Sequence, residues 1–280
     1  MRNPHPIVTR LAEALLDPEE LARIRRLPMR DEGLGYDPYG MERDHVALGV
    51  AFTRPLYERW FRVISRGSEH VPREGAAILA ANHSGTLPFD GAMLWADVVR
   101  RVGRVPRAVA DLFVSHLPWV SKLFARTGVV AGGRQNVRNL LEDGELLLIF
   151  PEGVPGIGKP FHERYQLQEW RVGHAELAIR HRAPVVPVAI VGPEEQMPQI
   201  ARLRRLGRLF GAPYVPLTLT PFPLPVRYHI LYGAPIALHE RYAPADADDP
   251  ESLRAAANEV RDAVAALLAE GLRARRGIFR

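Results

Sequence analysis

The chain has 280 residues, 47% hydrophobic and 25% charged, a balance that supports a full core and excludes wholesale disorder. It has no cysteine, so disulfides, thiolate metal sites and cysteine nucleophiles are excluded. Lys and Arg number 37, nearly all of them Arg, against 32 Asp and Glu, and the net charge of +5 favours an anionic partner such as a phosphate group or anionic lipid. Abundant Arg, Ala, Gly and Pro also fit a GC-rich genome.

Met1–Pro6 has no apolar core of signal-peptide type, and no apolar stretch is long enough to cross a bilayer. The expected location is therefore cytoplasmic. Val8–Pro28 reads as two short helices, the second opened by Asp17-Pro18-Glu19-Glu20: a cap, a proline at the first position and acids in the first turn. Asp31–Tyr39 reads as a loop. Asp44–Ser65 reads as helical, interrupted at Pro55, with Tyr57, Trp60 and Phe61 interleaved with Arg54, Arg59 and Arg62.

From Val71 onward short apolar runs alternate with helical stretches. The expected strands are Ala77–Ala81, Arg107–Ala110, Gly128–Val130, Leu146–Phe150, Val185–Val191 and Val226–Tyr232. The expected helices are Gly91–Arg101, Trp119–Arg126, Val137–Glu142 and Val172–His181. Asp249–Arg275 reads as a long amphipathic helix with Leu253, Val260, Val264, Leu267 and Leu268 on one face. This alternation predicts an α/β fold with a largely parallel central sheet flanked by helices. The expected division is an N-terminal helical segment over 1–66 and an α/β domain over 67–280.

Four blocks carry chemistry. Asn82-His83-Ser84-Gly85-Thr86-Leu87-Pro88-Phe89-Asp90 follows a buried strand, which puts an imidazole where ligands of α/β sheets bind, with a carboxylate at a helix start. Such a pair suits a general base; taken alone, the pair is read first as Asp90 capping a helix and His83 making a loop hydrogen bond. Gly128-Val129-Val130-Ala131-Gly132-Gly133-Arg134 is a strand ending in glycines and a guanidinium. Leu146–Phe150 empties into Pro151-Glu152-Gly153, and Pro184–Gly192 is an apolar strand in which Pro187 marks an edge or a bend.

In this order the blocks resemble the glycerolipid acyltransferases of the lysophosphatidate acyltransferase type, across Ile78–Gly192 and onward to Pro235. The resemblance implies that His83 takes a proton from a lipid hydroxyl as that oxygen attacks an acyl thioester, and that Asp90 orients the imidazole. It assigns acceptor binding to Gly128, Arg134, Glu152 and Gly153. The implied co-substrate is acyl-CoA or acyl-carrier protein, with no metal and no further cofactor, because a thioester is already activated. Loop amides around Ser84–Thr86 would serve the oxyanion.

Two departures stand out. Six residues separate His83 from Asp90, where the family's usual block has four, and Pro88 stands where the Asp is expected. The monoacylglycerol-acyltransferase-like subgroup is closer on this point. Val154-Pro155-Gly156 replaces the Thr-Arg-Ser that usually follows Phe-Pro-Glu-Gly, and Lys159, His162 and Arg164 are candidate substitutes.

Ile200, Leu203, Leu206, Leu209 and Phe210 recur at helical spacing with Arg202, Arg204, Arg205 and Arg208 between them, a pattern suited to an anionic membrane surface rather than nucleic acid. Pro213–Pro225 adds apolar surface, and Tyr57, Trp60 and Phe61 form a second patch. Rival readings are weaker. Gly153–Pro160 nearly matches a phosphate-binding loop but has Pro160 where a magnesium ligand belongs. Ser84 lacks the nucleophile elbow of a serine hydrolase. A lipid-binding protein without catalysis would keep the fold and the membrane surface.

Overall fold

The computed structural model describes residues 6–280 apart from 32, 85–86, 112–113, 115–118 and 210–213. The described strands, in chain order, are β1 (Ile64–Arg66), β2 (Ala77–Ala81), β3 (Arg107–Ala110), β4 (Val130–Ala131), β5 (Leu146–Ile149), β6 (Val185–Val191), β7 (Gln199–Leu203), β8 (Val215–Thr218) and β9 (His229–Tyr232). The helices are α1 (Pro6–Leu15), α2 (Pro18–Arg25), α3 (Arg43–Pro55), α4 (Phe89–Arg101), α5 (Val120–Arg126), α6 (Arg134–Glu142), α7 (Val154–Ile157), α8 (Gly173–Arg180), α9 (Pro193–Gln196), α10 (Arg204–Leu209), α11 (Leu238–Arg241) and α12 (Pro250–Ala274).

Seven strands form one sheet in the order β1-β9-β6-β2-β5-β3-β4, and β7 and β8 pair apart from it. The pairs from β6 across to β4 are parallel, whereas β9 runs antiparallel to β6 and carries β1 with it. The predicted α/β fold with a mostly parallel, helix-flanked sheet is what the chain adopts. Because side chains alternate across a strand, β2 feeds both faces. Ala77, Leu79 and Ala81 pack into a core shared with α1 to α4. Ile78 and Ala80 pack into a second core, shared with α6, α8 and the Leu253–Val260–Val264–Leu268 stripe of α12. Both faces are covered, which is why the strands read as unbroken apolar runs.

Three stretches differ from expectation. Helix α3 ends at Pro55, and the next turn widens so that the Phe61 N–H donates to the Leu56 carbonyl (2.8 Å). Ile64 and Ser65 are then strand rather than helix, because β9 offers them an open edge. Pro187 sits in an interior strand, not at an edge. Its carbonyl accepts from the Gly233 N–H (2.9 Å), the ladder to β9 starts one residue later at Val188, and Gly233 has no Cβ to strike the proline ring. Ile200–Leu203 is strand β7, paired with β8, so only Arg204–Leu209 is helical there.

A buried carboxylate ties the edge strands to the helices. Asp97 on α4 is wholly buried and accepts from Ser65 Oγ (2.8 Å), Tyr232 OH (2.7 Å), Arg101 Nε (3.0 Å) and the Tyr57 hydroxyl. Burial, with Asp97 beside it, pushes the Tyr57 phenol up to about 12, so it remains a donor. Replacing Asp97 by Ala strands three hydroxyls and a guanidinium. We expect urea unfolding of Asp97→Ala to show a loss of about 3–5 kcal/mol, against about 1 kcal/mol for Tyr232→Phe.

Candidate active site

Asn82 ends β2 in an unusual way. Its side-chain amide continues the ladder to β6: Nδ2 donates to the Ile190 carbonyl (3.1 Å), and the Ile190 N–H donates to Oδ1 (2.7 Å). The main chain is thereby released from the sheet at the next residue, His83, at the carboxyl end of a central strand. His83 is 9% exposed, and its ring stacks on Phe150 at the end of β5, with centroids 4.2 Å apart and planes 21° apart.

His83 Nδ1 lies 2.6 Å from Asp90 Oδ2, and Asp90 is wholly buried. The same oxygen accepts from the Ser84 N–H (2.8 Å), and Oδ1 from the Gly91 N–H (2.7 Å). Asp90 sits in the first turn of α4, where the helix dipole favours a carboxylate. A proton on Nδ1 satisfies Asp90 and leaves the Nε2 lone pair to accept another. The longer spacing thus still brings the imidazole and the carboxylate into contact. Asp90 is not the helix cap: Pro88 holds that position, and Asp90 lies inside the first turn, where its Oδ1 takes the N–H of the neighbouring Gly91. The Ser84 amide, expected to face an oxyanion, is spent on Asp90; Gly85 and Thr86 lie outside the described residues.

Glu152 is 1% exposed and turned inward. Its Oε1 accepts from the His83 N–H (3.1 Å), and its Oε2 from the Gln168 N–H (2.9 Å), with Lys159 Nζ at 3.5 Å. Surrounded in this way, the carboxylate positions the His83 backbone rather than reaching an acceptor. Lys159 donates to Glu194 Oε1 (3.0 Å) and to the Gln166 carbonyl (3.2 Å). Burial pushes the Glu194 carboxyl up to about 7, against the opposing pull of Lys159. Lys159 is therefore no free phosphate ligand. His162 is 80% exposed beside Glu163, and Arg164 lies over the Phe161 ring, 4.6 Å from its centroid.

Gly153 adopts φ +58°, and the Arg171 guanidinium carbon lies 3.2 Å from where a side chain would begin, so glycine is needed twice over. Arg171 is itself a residue the sequence did not single out. Its side chain is 67% exposed, with Asp111 at the end of β3 4.0 Å away. Arg134 opens α6 beyond the carboxyl end of β4, exposed and without an ion pair among the described residues. Gly128 is not part of this edge. It precedes β4, at φ +93°, where a Cβ would meet Met41 Sδ at 3.0 Å and Val105 at 3.2 Å; its task is to close the turn after α5.

Arg171 hangs from a firm base. Its N–H donates to the Pro151 carbonyl (3.0 Å), and its own carbonyl lies 3.0 Å from His174 Nδ1, which must carry the proton. Complete burial against Trp170 pushes His174 down from 6.5 to about 4. With the folded value depressed, the stability this residue contributes is complete above pH 6.5 and is lost as pH falls toward 4. Thermal unfolding of His174→Gln should show a shallower loss of Tm across that window than the unaltered chain.

An α/β sheet that presents a paired His and Asp beyond a central strand, with a Phe-Pro-Glu-Gly turn on the next strand, is the arrangement that the resemblance to the acyltransferases implies. The family model Acyltransferase matches residues 62–191. An uncharacterized protein of Mycobacterium tuberculosis is 38% identical over 260 residues, which span 88% of this chain and 70% of that one. The human DGAT1/2-independent enzyme synthesizing storage lipids is 30% identical over 182 residues, 63% of this chain and 54% of that protein. The crystal structure of the 1-acyl-sn-glycerophosphate (LPA) acyltransferase PlsC from Thermotoga maritima shares the fold, with a TM-score of 0.57 and 19% identity over 92% of this chain and 89% of that one. The chain belongs to the acyltransferase family.

Proposed function

We propose that the protein transfers a fatty acyl group from acyl-CoA or acyl-carrier protein to a hydroxyl of lysophosphatidate or a related glycerolipid, at the cytoplasmic face of a membrane and peripheral to it. The observation that carries this reading is the 2.6 Å contact between His83 Nδ1 and Asp90 at the end of β2. His83 Nε2 accepts the hydroxyl proton as the oxygen attacks the thioester carbonyl carbon. The tetrahedral adduct collapses, the carbon–sulfur bond breaks, and the imidazolium returns the proton to the leaving thiolate. Asp90 stabilises the imidazolium while it exists. The stack on Phe150 restrains the ring plane, and Glu152 restrains the main chain beneath it.

Arg134 and Arg171 are two exposed cations at this edge that suit a phosphorylated headgroup. A neutral acceptor such as monoacylglycerol is the second reading, favoured by the burial of Lys159 between two carboxylates. A lipid-binding protein without catalysis would have no use for a buried, bonded His–Asp pair.

The test is thiol release from a long-chain acyl thioester, with lysophosphatidate, monoacylglycerol, diacylglycerol and glycerol 3-phosphate as acceptors. His83→Ala should lower turnover by about 10²–10⁴-fold and Asp90→Asn should impair it with folding intact. Acceptor-dependent release that survives His83→Ala would remove the assignment. With a phosphorylated acceptor, Arg171→Ala and Arg134→Ala should each raise KM roughly tenfold while changing it little for monoacylglycerol. Equal effects on both acceptors would count against headgroup contact.

A further inference from the structure

We infer that the protein docks on an anionic bilayer through the carboxyl-end rim of its sheet, with Trp60 and Trp119 as the two ends of one contact plane. The inference rests on the acyltransferase reading for its purpose. It names which surface meets the lipid.

The topology puts both tryptophans on the edge that carries His83. Strand β1 runs antiparallel to β2, so the residues that lead into β1 lie where β2 ends. Trp60 is in that lead-in, 42% exposed, its indole N–H donating to the Pro223 carbonyl (3.2 Å). Trp119 opens α5, the crossover that follows β3, and is 80% exposed. The strands they flank, β1 and β4, are the two margins of the seven-stranded sheet, so the contacts lie on the order of 30 Å apart at ~4.8 Å per strand. Between them the β7–β8 hairpin leaves the end of β6 and leans on the loop behind His83. Gln199 donates to the Gly158 carbonyl (2.9 Å), while Gly156 sits 3.0 Å, measured from an added Cβ, from the His83 carbonyl.

This rim is apolar where water would favour polar side chains. Phe222 is 77% exposed, Leu219 65%, and Ile200 and Leu123 53% each. Helix α5 buries none of its described residues. Trp119 also holds φ +66°, in the left-handed region that bulky side chains avoid, with its ring turned out. Arg59, Lys122, Arg202 and Arg205 are exposed among these groups, and the Lys122 ammonium lies 5.6 Å from the Trp119 ring centroid. Indoles and cationic side chains with apolar stems are the groups that settle at a bilayer interface, and the cations select anionic headgroups. The occupant is therefore a lipid surface. Docked this way, the protein holds the Nε2 of His83 toward the layer in which a glycerolipid hydroxyl resides.

The four tryptophans supply the test, because Trp95 and Trp170 are buried. Fluorescence is read in phosphatidylglycerol vesicles with brominated acyl chains, for the full chain, Trp60→Phe, Trp119→Phe and the double variant. Both single variants should remain quenched, and the double variant should bind in a sedimentation assay without quenching. Phe222→Asp with Leu219→Asp should weaken vesicle sedimentation by about tenfold or more. Binding with either exposed tryptophan unquenched would overturn the inference, as would failure to bind vesicles. A lipid-free dimer dissolved by Phe222→Asp, in protein that ignores vesicles, would reassign the face to a second copy of the chain. Docking through both tryptophans without acyl transfer would remove only the enzymatic reading. Transfer to a soluble short-chain acceptor with neither tryptophan quenched would remove only the docking.

Discussion

Everything chemical in this structure hangs on the Asp90 carboxylate. It is fully buried, and it survives there because three N–H groups converge on it, from His83, Ser84 and Gly91, at a helix start. The same carboxylate therefore fixes the imidazole tautomer and ties the Ser84 main chain to the start of α4. A single charge holds both the His83 ring and the Ser84 main chain against the start of α4.

A second carboxylate works from the opposite side. Glu152 seizes the His83 N–H, and Lys159 bridges Glu152 to Glu194, at the start of α9. Three strand ends, those of β2, β5 and β6, are thus stitched together by charged groups that solvent does not reach. Removing one member of such a cluster leaves a buried charge uncompensated and so weakens all three joins together.

Much of this was legible in the residues. The unbroken apolar runs located β2 and β6 to the residue, because strands covered on both faces need no alternation. His83 and Asp90 were legible as a pair from their place after a strand and at a helix start. What stayed hidden depended on closure at long range. Lys159 was read as a candidate substitute for the missing Thr-Arg-Ser because nothing local says that Glu194 folds over it. Arg171 was passed over because only the turn at Gly153 brings it to the site. Gly128 was assigned to the wrong edge of the sheet, since a glycine before a two-residue strand and one after it look alike in sequence. Tyr57 and Phe61 read as part of an exposed aromatic patch, yet both are buried, and Trp60 alone reaches the surface.

Asn82 carries a consequence for the lifetime of the protein. Its amide works because one end donates and the other accepts, each to the same residue of β6. Deamidation changes a single group, NH2 to oxygen, and adds no bulk. At this position it would set a negative oxygen against the Ile190 carbonyl in a place without water, and the strand end that aims His83 would be forced apart. The chemical clock of an asparagine is slow where the backbone is held rigid, as it is at the end of β2. The scaffold that uses the amide to steer its histidine is thus also what protects the amide from ageing.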